Sequence, residues 1–352
     1  MKNFLLCFGI LLISFSILSN CARQIKAEEI GLFGNTLPNG TYLLENNKIR
    51  IVVAPQYGGR VLSISNKTSG EELVEPLSDE DISIGGSFYD IVNLVWPGSA
   101  EVPYSVNKFD LDTKNNQIFI ELEYSVGKKA PEKRGLVITR RIWLDNFSTA
   151  VFSETSIKNN ARHDLDFTYW HQSRPILGEP EEGGRITWLP IDDDIFKIPF
   201  APGSGGHGTS MMPSDGFVGL TAKEASSSAV WLFDRNKINY FWTWHDVQVP
   251  TYDILFKMTN LKPGESETYR LDIAFLPDVP AITGGNFDTG LVSGITANFE
   301  NRTIFLEGFL YKYTKGDYKN LGSVNLIVSL NQIFLRNSET KVSRRHLNRY
   351  LI

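Results

Sequence analysis

The chain has very little cysteine. Of its 352 residues only Cys7 and Cys21 carry a thiol, and both lie within the first 21 positions. A body without cysteine excludes a disulfide framework, a cysteine zinc site, an iron–sulfur cluster and a catalytic thiol. Helical periodicity over ten or more residues is also scarce between residues 28 and 280. The chemistry of the body must therefore come from imidazole, carboxylate and guanidinium groups.

The first residues have the pattern of an export signal. Lys2 precedes an apolar run over residues 4–18, and no other segment approaches 18 apolar residues. Leu18-Ser19-Asn20-Cys21 is similar to a bacterial lipobox, which predicts a signal peptide over 1–21 and lipidation of Cys21. Asn20 stands where that pattern has a small residue, so ordinary cleavage after Ala22 or Ala27 stays open. We predict an exported protein, periplasmic or a membrane-anchored lipoprotein of a bacterial envelope, that meets the membrane only through its signal or lipid anchor.

Charge is unevenly distributed along the chain. Residues 336–352 form a basic tail of net charge +4, which leaves −9 for the rest of a chain whose overall charge is −5. Nucleic-acid binding needs a concentrated basic face, so an acidic body predicts no nucleic-acid partner. Asp192-Asp193-Asp194 lacks the alternating spacing of a calcium loop. We predict no metal and no cofactor.

The body is dominated by segments of period two with turn signals every 8–12 residues. Residues 117–124 (QIFIELEY) and 136–143 (LVITRRIW) are the clearest examples. So many strands predict an all-β fold, a large antiparallel supersandwich of two sheets over residues 30–280. Residues 177–216, rich in glycine and proline, are predicted to be a long loop and 277–294 a linker. Residues 295–335 are predicted to be a small β extension, too short to bury a core alone.

Two segments carry a resemblance to a known family. Residues 44–55 (LENNKIRIVVAP), the Gly58-Gly59 turn and residues 60–64 (RVLSI) resemble the opening of galactose-mutarotase-like proteins. Residues 261–266 (LKPGES), followed by 269–275, resemble the closing hairpin of that supersandwich. The resemblance covers roughly residues 40–277. It implies a sugar-binding concave sheet face on the same large sandwich.

The resemblance also implies candidate catalytic residues. Aldose epimerases use a histidine as general acid and a glutamate as base. Residues 169–172 (YWHQ) resemble the histidine segment, so His171 is the predicted acid/base. No epimerase-like glutamate motif is evident in the last third of the chain. Glu101, in the segment 93–105, is the predicted base or hydroxyl acceptor.

The candidate substrate-binding residues come from aromatic and charged clusters. Trp242 and Trp244 share one strand face, with Thr243 and His245 on the other, and a tryptophan face stacks on sugar C–H surfaces. For each candidate a purely structural role stays open, as core tryptophan, surface ion pair or solvated loop. The predicted binding residues are Arg60, Trp96, Arg174, His207, Trp242 and His245.

We therefore predict an exported protein that recognises a mono-, oligo- or polysaccharide. If it is catalytic, the expected chemistry is proton transfer at a sugar ring, by epimerisation or β-elimination. Elimination would also need a cation for a uronate carboxylate, which Arg174 or Arg60 would supply. Two alternatives stay open: a glycan-binding lipoprotein without activity, and a structural envelope protein on an inherited fold.

Overall fold

The computed structural model describes residues 24–27, 31–77, 85–92, 102–127, 130–178, 184–200, 208–244, 250–277, 279–300, 303–329 and 332–335. Within these ranges no helix has the length and apolarity to span a membrane. The strands, in chain order, are β1 (Gln24–Ala27), β2 (Leu32–Thr36), β3 (Tyr42–Glu45), β4 (Ile49–Ala54), β5 (Arg60–Asn66), β6 (Tyr89–Val92), β7 (Ser105–Asp112), β8 (Gln117–Ser125), β9 (Leu136–Asp145), β10 (Ala150–Asn159), β11 (Leu165–Phe167), β12 (Tyr169–Ser173), β13 (Arg185–Ile191), β14 (Asp194–Pro199), β15 (Gly208–Met211), β16 (Phe217–Ala222), β17 (Ser227–Phe233), β18 (Ile238–Trp244), β19 (Thr251–Phe256), β20 (Thr259–Leu261), β21 (Ser266–Pro277), β22 (Gly284–Asn286), β23 (Leu291–Glu300), β24 (Thr303–Lys312), β25 (Asp317–Ser329) and β26 (Gln332–Leu335).

The strands form four main antiparallel sheets. The N-terminal sheet has the order β1-β2-β3-β4-β5, and the central sheet has nine strands, β14-β13-β16-β17-β21-β10-β9-β8-β7. The outer sheet has the order β15-β18-β19-β12-β6, and the C-terminal sheet runs β22-β23-β24-β25-β26. A two-stranded pair, β11 and β20, completes the set. The predicted all-β supersandwich is confirmed.

Alternation along β9 shows why the central sheet packs as it does. Its ten residues are buried and half-buried in strict turn, so one face points into the interior. Ile138 and Ile142 on that face join a core that includes Ile51 of the N-terminal sheet and Ile254 of the outer sheet. The N-terminal and outer sheets therefore pack together against one face of the central sheet.

The other face of the central sheet is covered by the C-terminal sheet. All seven residues of β17 are buried, which requires neighbours on both sides. Trp231 belongs to the first core, whereas Val230 and Leu232 join a second core with Val292 and Phe309. The C-terminal strands thus bury their apolar side chains on the main body. Their sheet begins at Gly284, earlier than the predicted start of the extension at 295.

The prediction of a long loop over residues 177–216 is wrong. That stretch contains β13, β14 and β15. β13 pairs with β16 only as far as Trp188, so Pro190 lies beyond that ladder and its missing N–H breaks no bond to β16. Asp192, at a φ of 54°, turns the chain into β14. The linker predicted over 277–294 likewise contains β22 and the start of β23.

Candidate functional site

One face of the outer sheet lies apart from the main core. Among the described residues no other sheet covers this face, yet most of its side chains are buried. Along β12 the side chains of Tyr169, His171 and Ser173 point inward, and those of Trp170 and Gln172 point outward. The same alternation holds on the neighbouring strands. We call the outward set the outer face: Tyr89, Trp170, Gln172, Tyr240, Trp242, Trp244, Thr251, Asp253 and Leu255.

Strand register places four of these residues in one row across the sheet. Gln172 on β12 pairs with Tyr89 on β6 and with Asp253 on β19, and Asp253 pairs with Trp242 on β18. Neighbouring strands lie about 4.8 Å apart. The row therefore spans about 14 Å, the length of a short oligosaccharide, with an aromatic ring at each end and two polar side chains between.

Asp253 is the central charged group of the row. Its side chain is buried, and its Oδ1 accepts hydrogen bonds from Trp170 Nε1 at 2.9 Å and Gln172 Nε2 at 2.7 Å. Its Oδ2 accepts one from Thr251 Oγ1 at 2.5 Å. Burial raises the pKa of Asp253 to about 6, although these three donors and the charge of Arg174 partly offset it. The carboxyl group can therefore exchange a proton near neutral pH.

Three tryptophans share the outer face with this carboxyl group. The rings of Trp170 and Trp242 are nearly parallel, with centroids 6.4 Å apart and planes inclined by 16°. Trp244 meets Trp242 edge-on at 6.3 Å. Trp242 and Trp244 are half-buried, and they share a face opposite the fully buried Thr243, as the period of two predicts. Their exposed surface is the kind on which sugar rings stack.

Two polar atoms on the outer face have no hydrogen-bond partner within the part of the chain that the structure describes. They are Gln172 Oε1, an acceptor, and Trp242 Nε1, a donor. Both atoms are inaccessible to solvent, and both flank Asp253 in the row. A buried polar group without a partner costs about 1–3 kcal/mol. A ligand with two or more hydroxyl groups, each of which donates and accepts, would offer a partner to each atom.

The two predicted binding arginines lie at the side of the outer face. The guanidinium of Arg60 is 5.0 Å from the ring centre of Tyr89, and Arg60 donates to the carbonyls of Tyr57 and Gly85. Arg174 forms an ion pair with Glu75. Both side chains are almost fully buried. The structure thus brings Arg60, Arg174 and Trp242 to the same side of the sandwich.

His171 is not part of the outer face. Its side chain is 2% exposed and meets Phe88 edge-on at 5.2 Å in the interior. Burial and the charge of Arg140 lower the pKa of the imidazole well below its usual value. Because neighbouring residues of a strand point to opposite sides, the positions of Trp170 and Gln172 on the outer face exclude His171 from it. Its predicted role as acid/base finds no support in this geometry.

The charge beside His171 belongs to a buried network. Arg140, in the middle of β9, forms an ion pair with Asp90, and neither side chain is exposed. Asp90 also accepts hydrogen bonds from the hydroxyls of Tyr104 and Tyr169. Arg140 donates in addition to the carbonyls of Gly59 and Phe88. All groups of this network face one another inside the sandwich, so we assign it to stability.

Several predicted residues lie outside the described residues. These are the catalytic candidate Glu101, the binding candidates Trp96, His207 and His245, and the lipidation candidate Cys21. The signal peptide predicted over 1–21 and the basic tail over 336–352 lie outside them as well. Asp192 lies in the turn between β13 and β14, and Asp194 is the first residue of β14. Among the described residues, no three histidine, aspartate or glutamate side chains are grouped to hold a metal ion.

Sequence reasoning missed Asp253, Gln172 and Trp170. A signal for Asp253 was present, because it is the only charged residue within β19, whose other residues are apolar or hydroxylic. Gln172 and Trp170 flank His171 in the segment 169–172, but their side chains lie on the opposite face of β12. Period two alone says which residues share a face. It does not say which face is turned inward.

The fold of this chain is similar to that of known proteins. No family model and no curated protein matches the sequence. Solved structures match its fold. A protein proposed to be an aldose 1-epimerase from Klebsiella pneumoniae matches with a TM-score of 0.56 and 14% identity, over 73% of this chain and 88% of its own. A galactose mutarotase-like protein from Clostridium acetobutylicum matches with a TM-score of 0.54 and 11% identity, over 73% and 98%.

A third match points the same way. A galactose mutarotase-related enzyme from Lactobacillus acidophilus gives a TM-score of 0.53 and 13% identity, over 68% of this chain and 98% of its own. The protein therefore has the galactose-mutarotase-like β-supersandwich fold, and the resemblance seen in the sequence is confirmed at the level of fold. Identities this low establish the fold and leave the activity to the site itself.

Proposed function

We propose that this protein binds carbohydrate on the outer face, with Trp242 and Asp253 as principal contacts. The observation that carries the proposal is the row Tyr89, Gln172, Asp253 and Trp242, in which an unpartnered donor and acceptor flank a carboxyl group. Sugars present adjacent hydroxyls and an apolar C–H face, which this combination of polar atoms and tryptophan rings matches. Galactose-mutarotase-like fold neighbours support the same class of ligand.

A glycan array with four proteins tests the proposal. Trp242→Ala removes the stacking ring and the free Nε1 donor, and Gln172→Ala removes the free acceptor, so each is expected to weaken binding at least tenfold. Trp143→Ala is the matched control, because Trp143 is also half-buried but lies on the far face of the central sheet, stacked on Phe152. Loss of binding in the control as well as in Trp242→Ala would contradict the proposal. A wild type that binds no glycan would favour a structural role.

Asp253 favours a second candidate function, acid–base catalysis at a bound sugar. A carboxyl group with a pKa of about 6 can give and take a proton near neutral pH. Polarimetry of fresh α-glucose and α-galactose, with Asp253→Asn as the variant, tests for anomer interconversion. A lyase would instead release an unsaturated product from a uronate polymer, visible by its ultraviolet absorbance. Binding without either signal would leave a non-catalytic glycan-binding protein.

We also propose that the chain is exported and anchored through a lipid on Cys21. The apolar run over 4–18 and the lipobox-like segment before Cys21 support this. Expression in a bacterial host with labelled palmitate, for wild type and Cys21→Ser, tests it. Label in the wild type alone is the expected result. An unlabelled wild type, with a mature N-terminus after Ala22 or Ala27, would favour a free periplasmic protein instead.

A further inference from the structure

A cleft that could hold a small molecule lies away from the outer face. It has a volume of about 450 Å³ and is formed where the N-terminal, central and C-terminal sheets meet. Small-molecule sites commonly enclose 300–1,000 Å³. None of its lining residues belongs to the outer face. Its walls come from the start of β4, the end of β5 and the turn after it, the starts of β10 and β17, the end of β21 and the end of β24 with the turn after it.

The lining of the cleft is amphipathic. Phe275, Leu276 and Tyr311 are buried apolar or aromatic residues. Around them stand neutral hydroxyl and amide side chains and a single cation. These polar lining residues are Asn66, Thr68, Ser69, Thr149, Ser226, Ser227 and Lys48. A surface with an apolar part and many neutral hydrogen-bonding groups matches a hydroxyl-rich ring better than it matches an ion.

The charged groups near the cleft also favour a neutral ligand. The carboxylate of Glu71 accepts hydrogen bonds from the backbone N–H of Ser226 and the hydroxyl of Ser69, both of which line the cleft. Burial tends to raise the pKa of Glu71, but its hydrogen bonds to these serines and Ser227 outweigh this and lower it. An ionised carboxylate behind the wall disfavours an anionic ligand, although Lys48 stands on the rim.

The C-terminal sheet completes this cleft. Tyr311 on β24 and Gly316 in the turn after that strand line the cleft, and the hydroxyl of Tyr311 is hydrogen-bonded to Thr149 Oγ1 at 3.1 Å. Gly316 has a φ of 65° and lies so close to the backbone of Phe147 that a side chain would be strained there. Without the C-terminal sheet the site would be an open surface at the end of β21.

We propose that this cleft is a second carbohydrate subsite, which takes a neutral sugar unit and which the C-terminal sheet creates. Its apolar residues contact the C–H face of the ring, and the serine, threonine and asparagine side chains bind its hydroxyls. The proposal does not depend on the outer face. Two subsites on one chain would let it hold a long polysaccharide at two points, which raises the apparent affinity without any stronger single contact.

The test uses the full chain on an array of neutral and acidic glycans. Thr68→Trp fills the cleft from an exposed turn position. In a protein that already carries Trp242→Ala, which disables binding at the outer face, Thr68→Trp is expected to weaken binding of neutral glycans at least tenfold. Lys48→Ala, a milder change on the rim, is expected to weaken it several-fold. Thr113→Trp, at an exposed turn in the β7–β8 hairpin, is the matched control and is expected to bind as its parent does.

The outcomes separate the two sites. As single variants, loss of binding in Thr68→Trp with unchanged binding in Trp242→Ala would support the cleft as a sugar site and refute the outer face as one. The reverse pattern would refute the cleft and leave the proposed function intact. Neutral-glycan binding that neither Thr68→Trp nor Lys48→Ala changes overturns the inference, and so does a cleft that binds acidic glycans alone. Unchanged thermal unfolding of Thr68→Trp shows that it folds.

Discussion

Replacement of Asp253 by asparagine should change how stability depends on pH. The pKa of Asp253 rises from 3.8 to about 6 in the folded protein because the group is buried. Two pKa units correspond to about 3 kcal/mol, so the ionised carboxylate destabilises the fold by about that amount at neutral pH. Between pH 4 and 6 the folded state holds a proton that the unfolded state has released. The free energy of unfolding therefore falls as pH rises through that window, and Asp253 contributes nothing further above it.

Asparagine keeps the shape of the site. Its Oδ1 can accept the same hydrogen bonds from Trp170 and Gln172, and the hydroxyl of Thr251 can turn to accept one from Nδ2. The free energy of unfolding of Asp253→Asn, relative to that of the wild type, should thus rise by about 3 kcal/mol between pH 4 and 7.5. Because Asp145, whose burial raises its pKa to about 6, titrates in both proteins, the difference between them isolates Asp253.

Urea unfolding of both proteins at half-unit steps from pH 4 to 7.5 measures this difference. The expected curve rises between pH 4 and 6 and is level beyond. A difference that is constant with pH, or one that falls, would refute the assignment of a buried, protonatable Asp253. Asp253→Asn should also lose glycan binding at neutral pH if the ionised carboxylate is the acceptor for a sugar hydroxyl. Stability gained and binding lost in one variant would show what the buried charge is kept for.

Two further variants test the framework. Arg140→Met leaves the buried carboxylate of Asp90 without its cation, and we expect a loss of about 3–5 kcal/mol in urea unfolding, against less than about 1 kcal/mol for Arg141→Met, whose side chain is partly exposed. A small loss in the first variant would contradict the buried pair. Tyr313→Phe removes the hydroxyl that donates to buried Asp272 at 2.9 Å, and should cost about 1–3 kcal/mol. Unchanged stability would mean that the C-terminal sheet is not held by this bond.

The strands were predictable from sequence wherever one face meets the core. β8 and β9 alternate so clearly that their predicted and observed limits differ by at most two residues at one end. β13 and β14 were missed because the prolines, the glycines and the three consecutive aspartates of residues 177–216 are typical of a loop. In the structure Pro190 lies past the end of the β16 ladder and the aspartates make a tight turn. Local composition does not reveal which backbone groups need a partner.

The candidate site was less predictable than the fold. Trp242 and Trp244 were assigned to one face correctly, since period two requires it. The face on which His171 lies was not predictable, because the choice between inward and outward depends on how β12 pairs with β6 and β19, which are distant in sequence. Asp253 becomes significant only when Gln172, 81 positions earlier, is seen to bond with it. Such a juxtaposition comes from topology and not from any local pattern.

The burial of β17 on both faces has a consequence for the order of folding. Val230 and Leu232 are covered by residues such as Val292 and Phe309, which follow them by some 60 positions or more and leave the ribosome later. Until the C-terminal strands have packed, the central sheet exposes an apolar surface. Association of incompletely folded chains through that surface would compete with folding. A chaperone that shields this surface until the C-terminal strands have packed would therefore raise the yield of folded protein more than one that acts on the finished chain.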